Sequence, residues 1–142
     1  MIHFIKSRET ARLPEYKSLL AVGADLYSSE DVILLLHRPT IVHTGLQLAN
    51  CPEDFELQIR SRSGLAASGI FVCNSPGTID PDYRGEIKVI LMNLCQPFYK
   101  VAVGERIAQM VVAARYRENF QFTSKIVETT RGVDGLGSTG KE

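Results

Sequence analysis

An all-β fold of jelly-roll type is the class this sequence predicts, and three observations carry it. Short apolar or alternating runs follow one another along most of the chain. Turn-forming clusters such as CPEDF, NSPGTIDPDYRG and AVGE separate them at close spacing. Neither an internal repeat nor a linker divides the 142 residues. Many short strands with frequent turn signals are the pattern of an antiparallel barrel or sandwich, and a chain of this size buries roughly 68 to 70% of its unfolded surface in one core.

HFIK opens the series. In AVGADLYSS, Asp25 stands between apolar neighbours at a strand start, and DVILLL, TIVHTGLQLA and FELQIR read as the next strands. Helix is expected only as a turn or two within RSGLAASG, after which GIFVCN, EIKVILMNL and FYKVAV return to strand. RIAQMVVAARY is long enough for a helix, but its β-branched run and the strands around it favour strand. FQFTSKIV reads as the last strand. The ending, TTRGVDGLGSTGKE, is rich in glycine and has only Val133 and Leu136 as aliphatic side chains. Such a stretch cannot bury enough apolar surface to offset its ordering entropy. A β domain over 1–128 and a mobile arm over 129–142 are therefore expected.

Composition removes several function classes. Sixteen basic and sixteen acidic residues give a formal net charge of zero, so no broad field holds nucleic acid or an anionic membrane. Cys51, Cys73 and Cys95 form no C-x-x-C pair, and an odd count fits a reducing compartment, with the thiols as buried fillers. His3, His37 and His43 are scattered and match neither H-E-x-x-H nor the zinc deaminase signature. MIHFIKSRET turns charged too soon for a signal peptide, and no run approaches the roughly 20 apolar residues of a membrane span. The expectation is a soluble, cytoplasmic protein.

Two phosphate-loop patterns in the ending are misleading. GLGSTG fits G-x-G-x-x-G and GLGSTGK fits G-x-x-x-x-G-K, yet Glu142 follows Lys141 and no helix can follow. Both motifs need a helix N-terminus after a strand. In RSRSGLA, the Arg62 guanidinium, the Ser63 hydroxyl and the Gly64 backbone suit a phosphate oxygen, while a solvated turn is the plainer reading. Asp25 by itself reads as a turn cap, and Gln109, within GERIAQMV, as the outward face of a strand. The sharpest signal is SPGTIDPDYRGEI, where two acids, a tyrosine and an arginine crowd between turn formers. There Asp80 is placed to take a proton from water and Tyr83 to offer a flat face to a sugar or base, while Asp82 and Arg84 pair with each other or with solvent.

Five segments, AVGADLYSS, RSRSGLAASG, NSPGTIDPDYRGEI, GERIAQMV and RGVDGLGSTG, agree in order and spacing with one family. The chain resembles the trimeric dUTP pyrophosphatases. That resemblance implies a distorted jelly-roll subunit in a threefold homotrimer, with each active site built from all three chains. It implies hydrolysis of dUTP to dUMP and pyrophosphate by water attack on the α-phosphorus, which keeps uracil out of DNA and supplies dUMP for thymidylate synthesis.

On this resemblance the loop is a hairpin whose main chain at Gly77, Thr78 and Ile79, with Asn74, reads the uracil edge. Tyr83 lies under deoxyribose, where a 2′-hydroxyl would collide with its ring. Asp80 activates the water. Arg62, Ser63, Gly64 and Gln109 match triphosphate contacts, Lys88 joins the substrate-binding set, and Asp25 supports the water and phosphate network. Arg131, Gly137 and Ser138 match the arm that folds over the γ-phosphate. Mg²⁺ is implied as cofactor, held by substrate phosphates and water and by no direct protein ligand.

Where the family has proline this chain has Ser61, and GLAASGI is shorter than the commonest form. Asp134 replaces a small residue, and Leu136 stands where an aromatic usually covers the uracil. Two rivals are a dCTP deaminase, whose basic glutamate position holds Ile90 here, and a regulatory protein on the same trimeric scaffold.

Overall fold

The computed structural model describes residues 1–133 and 135 and is almost wholly β. Its elements are β1 (His3–Lys6), β2 (Gly23–Tyr27), β3 (Val32–Leu35), β4 (Thr40–Asn50), β5 (Phe55–Arg60), α1 (Ser63–Ala67), β6 (Ile70–Val72), β7 (Gly77–Ile79), β8 (Glu86–Asn93), β9 (Phe98–Val101) and β10 (Arg106–Ala114). One sheet runs β1-β4-β8-β6 and a second runs β2-β10-β5-β7, while β3 and β9 form a two-stranded ribbon. All the strand pairs are antiparallel. This is the expected jelly-roll class.

Alternation explains the layers. Along β8, Ile87, Val89 and Leu91 point inward and are buried, while Lys88 between them is exposed. They meet Val42 and Leu48 of β4, Leu57 and Ile59 of β5 and Ile107 of β10 in one core that all three sheets share. Period-two patterning of this kind fixes register, because a slip of one residue would turn the whole set to solvent. Asn93, fully buried at the end of β8, donates to the carbonyls of Leu34 and Gln96 and accepts from the amides of Cys95 and Gln96. A buried amide so satisfied ties the ribbon to the main sheet.

RIAQMVVAARY is a strand over Arg106–Ala114, and RSGLAASG holds the only helix among the described residues. Three expectations need correction. FQFTSKIV is not a strand: no described residue from 115 onward is helix or strand, and Phe120, Phe122, Ile126 and Val127 stand almost fully exposed. Alternation alone cannot make a strand without a neighbouring edge to satisfy its backbone groups. Secondly, only Cys51 is buried. Cys73 leaves β6 for a turn and Cys95 lies in the turn after β8, so both are exposed. Thirdly, β7 and β8 do not pair with each other, so the expected hairpin is instead a crossing from one sheet to the other. Among the described residues no helix is long and apolar enough to cross a membrane.

Candidate active site

The sequence-predicted residues gather at two places on the β2-β10-β5-β7 sheet. At the first, β2 and β10 pair with Asp25 opposite Gln109. Asp25 is 3% exposed and holds three side chains: Gln109 Nε2 donates to Oδ1 at 3.3 Å and Arg106 Nη1 donates to Oδ2 at 3.0 Å, while Arg62 Nε forms an ion pair with Oδ1 at 3.2 Å. Arg62 Nη1 also donates to the Arg106 carbonyl at 2.9 Å. Burying a carboxylate without partners is costly, so this set of donors is what permits Asp25 to sit there. Gly23 completes the fit, because a Cβ there would lie 3.1 Å from Gln109 Oε1.

Two neighbours stiffen this end. Tyr99 Oη donates to Glu105 Oε1 at 2.5 Å, while Glu105 Oε2 accepts the Ala102 amide, so the turn before Arg106 is braced. The bond to Glu105, helped by burial, pushes the Tyr99 phenol up to about 12. Ser61, where the family carries proline, accepts the Val72 amide through its hydroxyl at 2.9 Å and so links β5 to β6. Ser63 and Gly64 are exposed at the start of α1, and nothing lies within 4 Å of where a Gly64 Cβ would be. Arg62, Ser63, Gly64, Gln109 and Asp25 thus share one locality, with an open approach over α1.

The second place is the crossing after β7. Gly77 is buried against β5, and a Cβ on it would stand 3.1 Å from Asn74 Nδ2 and 3.4 Å from Ile59 Cβ. Only glycine lets Asn74 lie so close to this backbone. Thr78 and Asp80 are exposed and Ile79 is half-buried. The Asp80 carbonyl accepts the Tyr83 amide at 3.0 Å, which closes the turn. Tyr83 folds back over Gly85, where any Cβ would strike its ring, and Tyr83 Oη donates to the Glu86 carbonyl at 3.1 Å. Arg84 gives its guanidinium to the carbonyls of Pro81 and Tyr83 and forms no ion pair with Asp82. Asp80 itself has no ion pair among the described residues. Lys88 is exposed on β8, opposite His43.

These two places are far apart within one chain. Register sets Gln109 opposite Arg60 on β5, whereas Ile79 lies opposite Leu57, so Asp80 emerges near Glu56. Four residues of strand separate those levels, about 13 Å, and Arg62 lies two residues further on. An open cleft of about 730 Å³ borders Asp80 together with Glu53, Arg84, Arg115 and Arg117, and neither Arg62 nor Gln109 reaches it.

Comparison with known proteins decides the family. The dUTPase family model matches residues 9–140. The chain belongs to the dUTPase family. Deoxyuridine 5'-triphosphate nucleotidohydrolase of Helicobacter pylori strain J99 is 46% identical over 136 residues, covering 95% of this chain and 93% of its own. The protein of the same name from Anaplasma marginale is 47% identical over 131 residues, covering 90% and 88%. Among solved structures, a Staphylococcus bacteriophage 80alpha dUTPase with dUPNHPP superposes with a TM-score of 0.90 at 22% identity, covering 99% of this chain and 98% of its own. A dUTPase variant from phage phi11 of S. aureus, described with a structural Mg(II) ion, gives 0.80 at 19% identity, covering 90% and 99%. These phage structures bear on the fold.

Arg131 is exposed, and Gly132 beside it adopts φ +56°, a conformation that favours glycine. Asp134, Leu136, Gly137 and Ser138 lie outside the described residues. Sequence reasoning missed Arg106 and the brace behind Tyr83. Arg106 lies inside GERIAQMV, and the signal for it was an acid with no assigned counter-charge, Asp25. Among the described residues no three His, Cys, Asp or Glu side chains come together as a metal cage.

Proposed function

We propose that this chain hydrolyses dUTP to dUMP and pyrophosphate, with Asp80 activating the water that attacks the α-phosphorus. The observation that carries the assignment of Asp80 is a contrast between two carboxylates in the matched segments. Asp25 already accepts from Gln109 and Arg106 and pairs with the Arg62 guanidinium, so few of its lone pairs remain for a proton. Asp80 is exposed and, among the described residues, has no ion pair. A general base must have an acceptor free for the proton it takes.

In this reading Arg62 and Gln109, held by Asp25, bind triphosphate oxygens with Ser63 and Gly64, and stabilise the charge that develops on them. Asn74 and the main chain of Gly77, Thr78 and Ile79 read the uracil edge, while the Tyr83 ring sets the sugar. Lys88, Arg131, Leu136, Gly137 and Ser138 complete the binding set, with the arm over 129–142 closing on the nucleotide. Bound Mg²⁺ would neutralise triphosphate charge, and the donor set fits an ion carried by the phosphates and water: the Asp25 carboxylate is already taken up by Arg62 and Arg106. The setting proposed for this reaction is the cytoplasm.

The active unit is a homotrimer. One chain keeps Asp80 and Arg62 at different levels of β5, so one nucleotide meets both only if a neighbouring copy supplies one of them. Large apolar side chains left in water, including Leu19, Phe120, Phe122 and Ile126, are apolar surface that such an assembly could cover. The test is to incubate the chain with Mg²⁺ and each deoxynucleoside triphosphate singly. Pyrophosphate from dUTP alone is expected. Release of ammonia from dCTP, or no turnover of any nucleotide, would overturn the reading.

A further inference from the structure

Behind Tyr83 lies a group of charged side chains that the proposed reaction does not use. Glu86, the first residue of β8, has a side chain only 15% exposed. Its Oε1 accepts the Gly45 amide at 2.9 Å and lies 3.5 Å from Arg8 Nε, while its Oε2 meets His43 Nδ1 at 2.7 Å. Glu30 braces the same group, accepting the His43 amide at 3.0 Å and pairing with Arg8 Nη1 at 3.3 Å. Gly45 sits in an irregularity of β4, where the register to β8 shifts between His43 and Leu46. Its φ is +71°, and a Cβ there would lie 2.7 Å from Ala11 Cβ. The shift turns the Gly45 amide toward Glu86, where a regular ladder would have used it between strands.

The main-chain carbonyl of this same Glu86 receives the Tyr83 hydroxyl, across a Gly85 that has no room for a side chain. Tyr83 therefore takes its position from the Glu86 backbone, and that backbone is fixed by a side chain clamped to β4 and to Arg8. We propose that Glu86 is the positioning residue for the sugar-reading ring: its carboxylate, held by Gly45, His43 and Arg8, sets how closely Tyr83 approaches the 2′ carbon. Glu86 touches no substrate in this assignment and acts only through Tyr83. A loosened clamp lets the ring swing and admits a 2′-hydroxyl, so sugar selectivity falls before turnover of dUTP does. The inference rests on the reading of Tyr83 as the sugar wall.

The experiment is a cycle in the full chain with Glu86→Ala, Tyr83→Ala and the double variant, measuring kcat/KM for dUTP and UTP. Glu86→Gln serves as the variant most certain to fold, since it keeps the shape and one acceptor. Tyr83→Ala is expected to reduce the dUTP/UTP ratio severely. Glu86→Ala should reduce it about tenfold in the parent, corresponding to about 1.4 kcal/mol, and should change nothing further in the Tyr83→Ala background. Glu86→Gln should fall between parent and Glu86→Ala. If Tyr83→Ala lowers the ratio but neither Glu86 variant does, the positioning role is wrong and the sugar wall stands. An equal loss in both backgrounds overturns the role as well, because Glu86 would then act independently of the ring. A ratio unmoved by Tyr83→Ala removes the wall itself, and the inference with it.

Discussion

At one end of the β2-β10-β5-β7 sheet, Asp25 is 3% exposed, accepts from two side chains and pairs with a third; at the other, Asp80 is exposed and holds no ion pair among the described residues. Both are aspartates beside arginines. The difference lies in what each end needs from folding. The Asp25 end is finished within one chain: two guanidinium groups and an amide are aligned on one carboxylate, which balances one of their two charges. If this end binds the triphosphate as proposed, such alignment would spare reorganisation on binding. The Asp80 end keeps its acid in water, and in the proposed trimer it would obtain its working surroundings where another copy of the chain closes over it. On the proposed assembly, binding geometry would be a property of the subunit and catalysis a property of the trimer.

The largest effect expected from this contrast is on Asp80. Asp80→Asn keeps the shape and removes the base, so kcat should fall by roughly 10²- to 10⁴-fold with little change in affinity for a non-hydrolysable dUTP analogue. An unchanged kcat would take Asp80 out of its role. Mixing sharpens the comparison further. Arg62→Ala should also be nearly inactive, but unfolding and refolding it together with Asp80→Asn in equal amounts should restore activity. In randomly assembled trimers, about one site in four would combine an intact Asp80 from one chain with an intact Arg62 from another. Absence of any recovery in mixed trimers would mean that both groups come from the same chain.

At the other end the expected loss is one of stability. Asp25→Asn leaves one of its arginines facing an amide N–H, and the two guanidinium groups lose their shared counter-charge. Their side chains are 23% and 45% exposed, so water relieves part of the penalty, and the destabilisation should be about 1 to 3 kcal/mol. Urea denaturation measures it. A midpoint equal to the parent's would show that the buried cluster contributes nothing to folding. Gly85→Ala is expected to do the reverse. The φ of Gly85 is not in the left-handed region, so the backbone tolerates alanine, but the new Cβ strikes the Tyr83 ring. Stability should change by less than about 1 kcal/mol while the dUTP/UTP ratio falls. A ratio that stays at the parent value would show that the ring finds its place without Gly85.

Much of this was legible in the sequence, and the parts that were not share a cause. Period-two runs announced β4, β5, β8 and β10, because each buries one face and the pattern of a half-buried strand is local. The short β7 hid inside a polar loop, since its three residues gain their strand character from β5 and not from their own alternation. FQFTSKIV failed in the opposite sense, with good alternation and no edge to pair with in its own chain. The site shows the same division. Asp80, Tyr83, Arg62 and Gln109 could be picked out by their chemistry in polar or interrupted segments. Arg106 could not, because an arginine beginning a strand looks like any solvated charge until Asp25 is seen beneath it. His43 and Glu86 lie 43 residues apart, and no local pattern foretells that they meet.

The smallest expected effect concerns acid stability at the clamp behind Tyr83. Arg8, Glu30, His43 and Glu86 face one another there. Burial by itself would raise the Glu86 carboxyl, but the hydrogen bonds from His43 and the Gly45 amide, with the charges of His43 and Arg8, outweigh it and hold it below its ordinary value of 4.5. The unfolded chain therefore binds this proton at higher pH than the folded chain does. Stability from Glu86 is fully present above pH 4.5 and is lost as pH falls through the lower, folded value. Glu86→Gln removes the titrating group, so its stability should lie below the parent's at neutral pH, with the gap narrowing as the solution is acidified below about pH 4.5. Glu15 is held low as well, by Lys17 and Tyr27, but it is common to both proteins and cancels in the difference. Urea midpoints for the two proteins, measured between about pH 7 and pH 3.5, decide the matter. A gap that stays constant across that range would mean that the Glu86 proton is bound equally by folded and unfolded chains, and that the clamp is held by shape and not by charge.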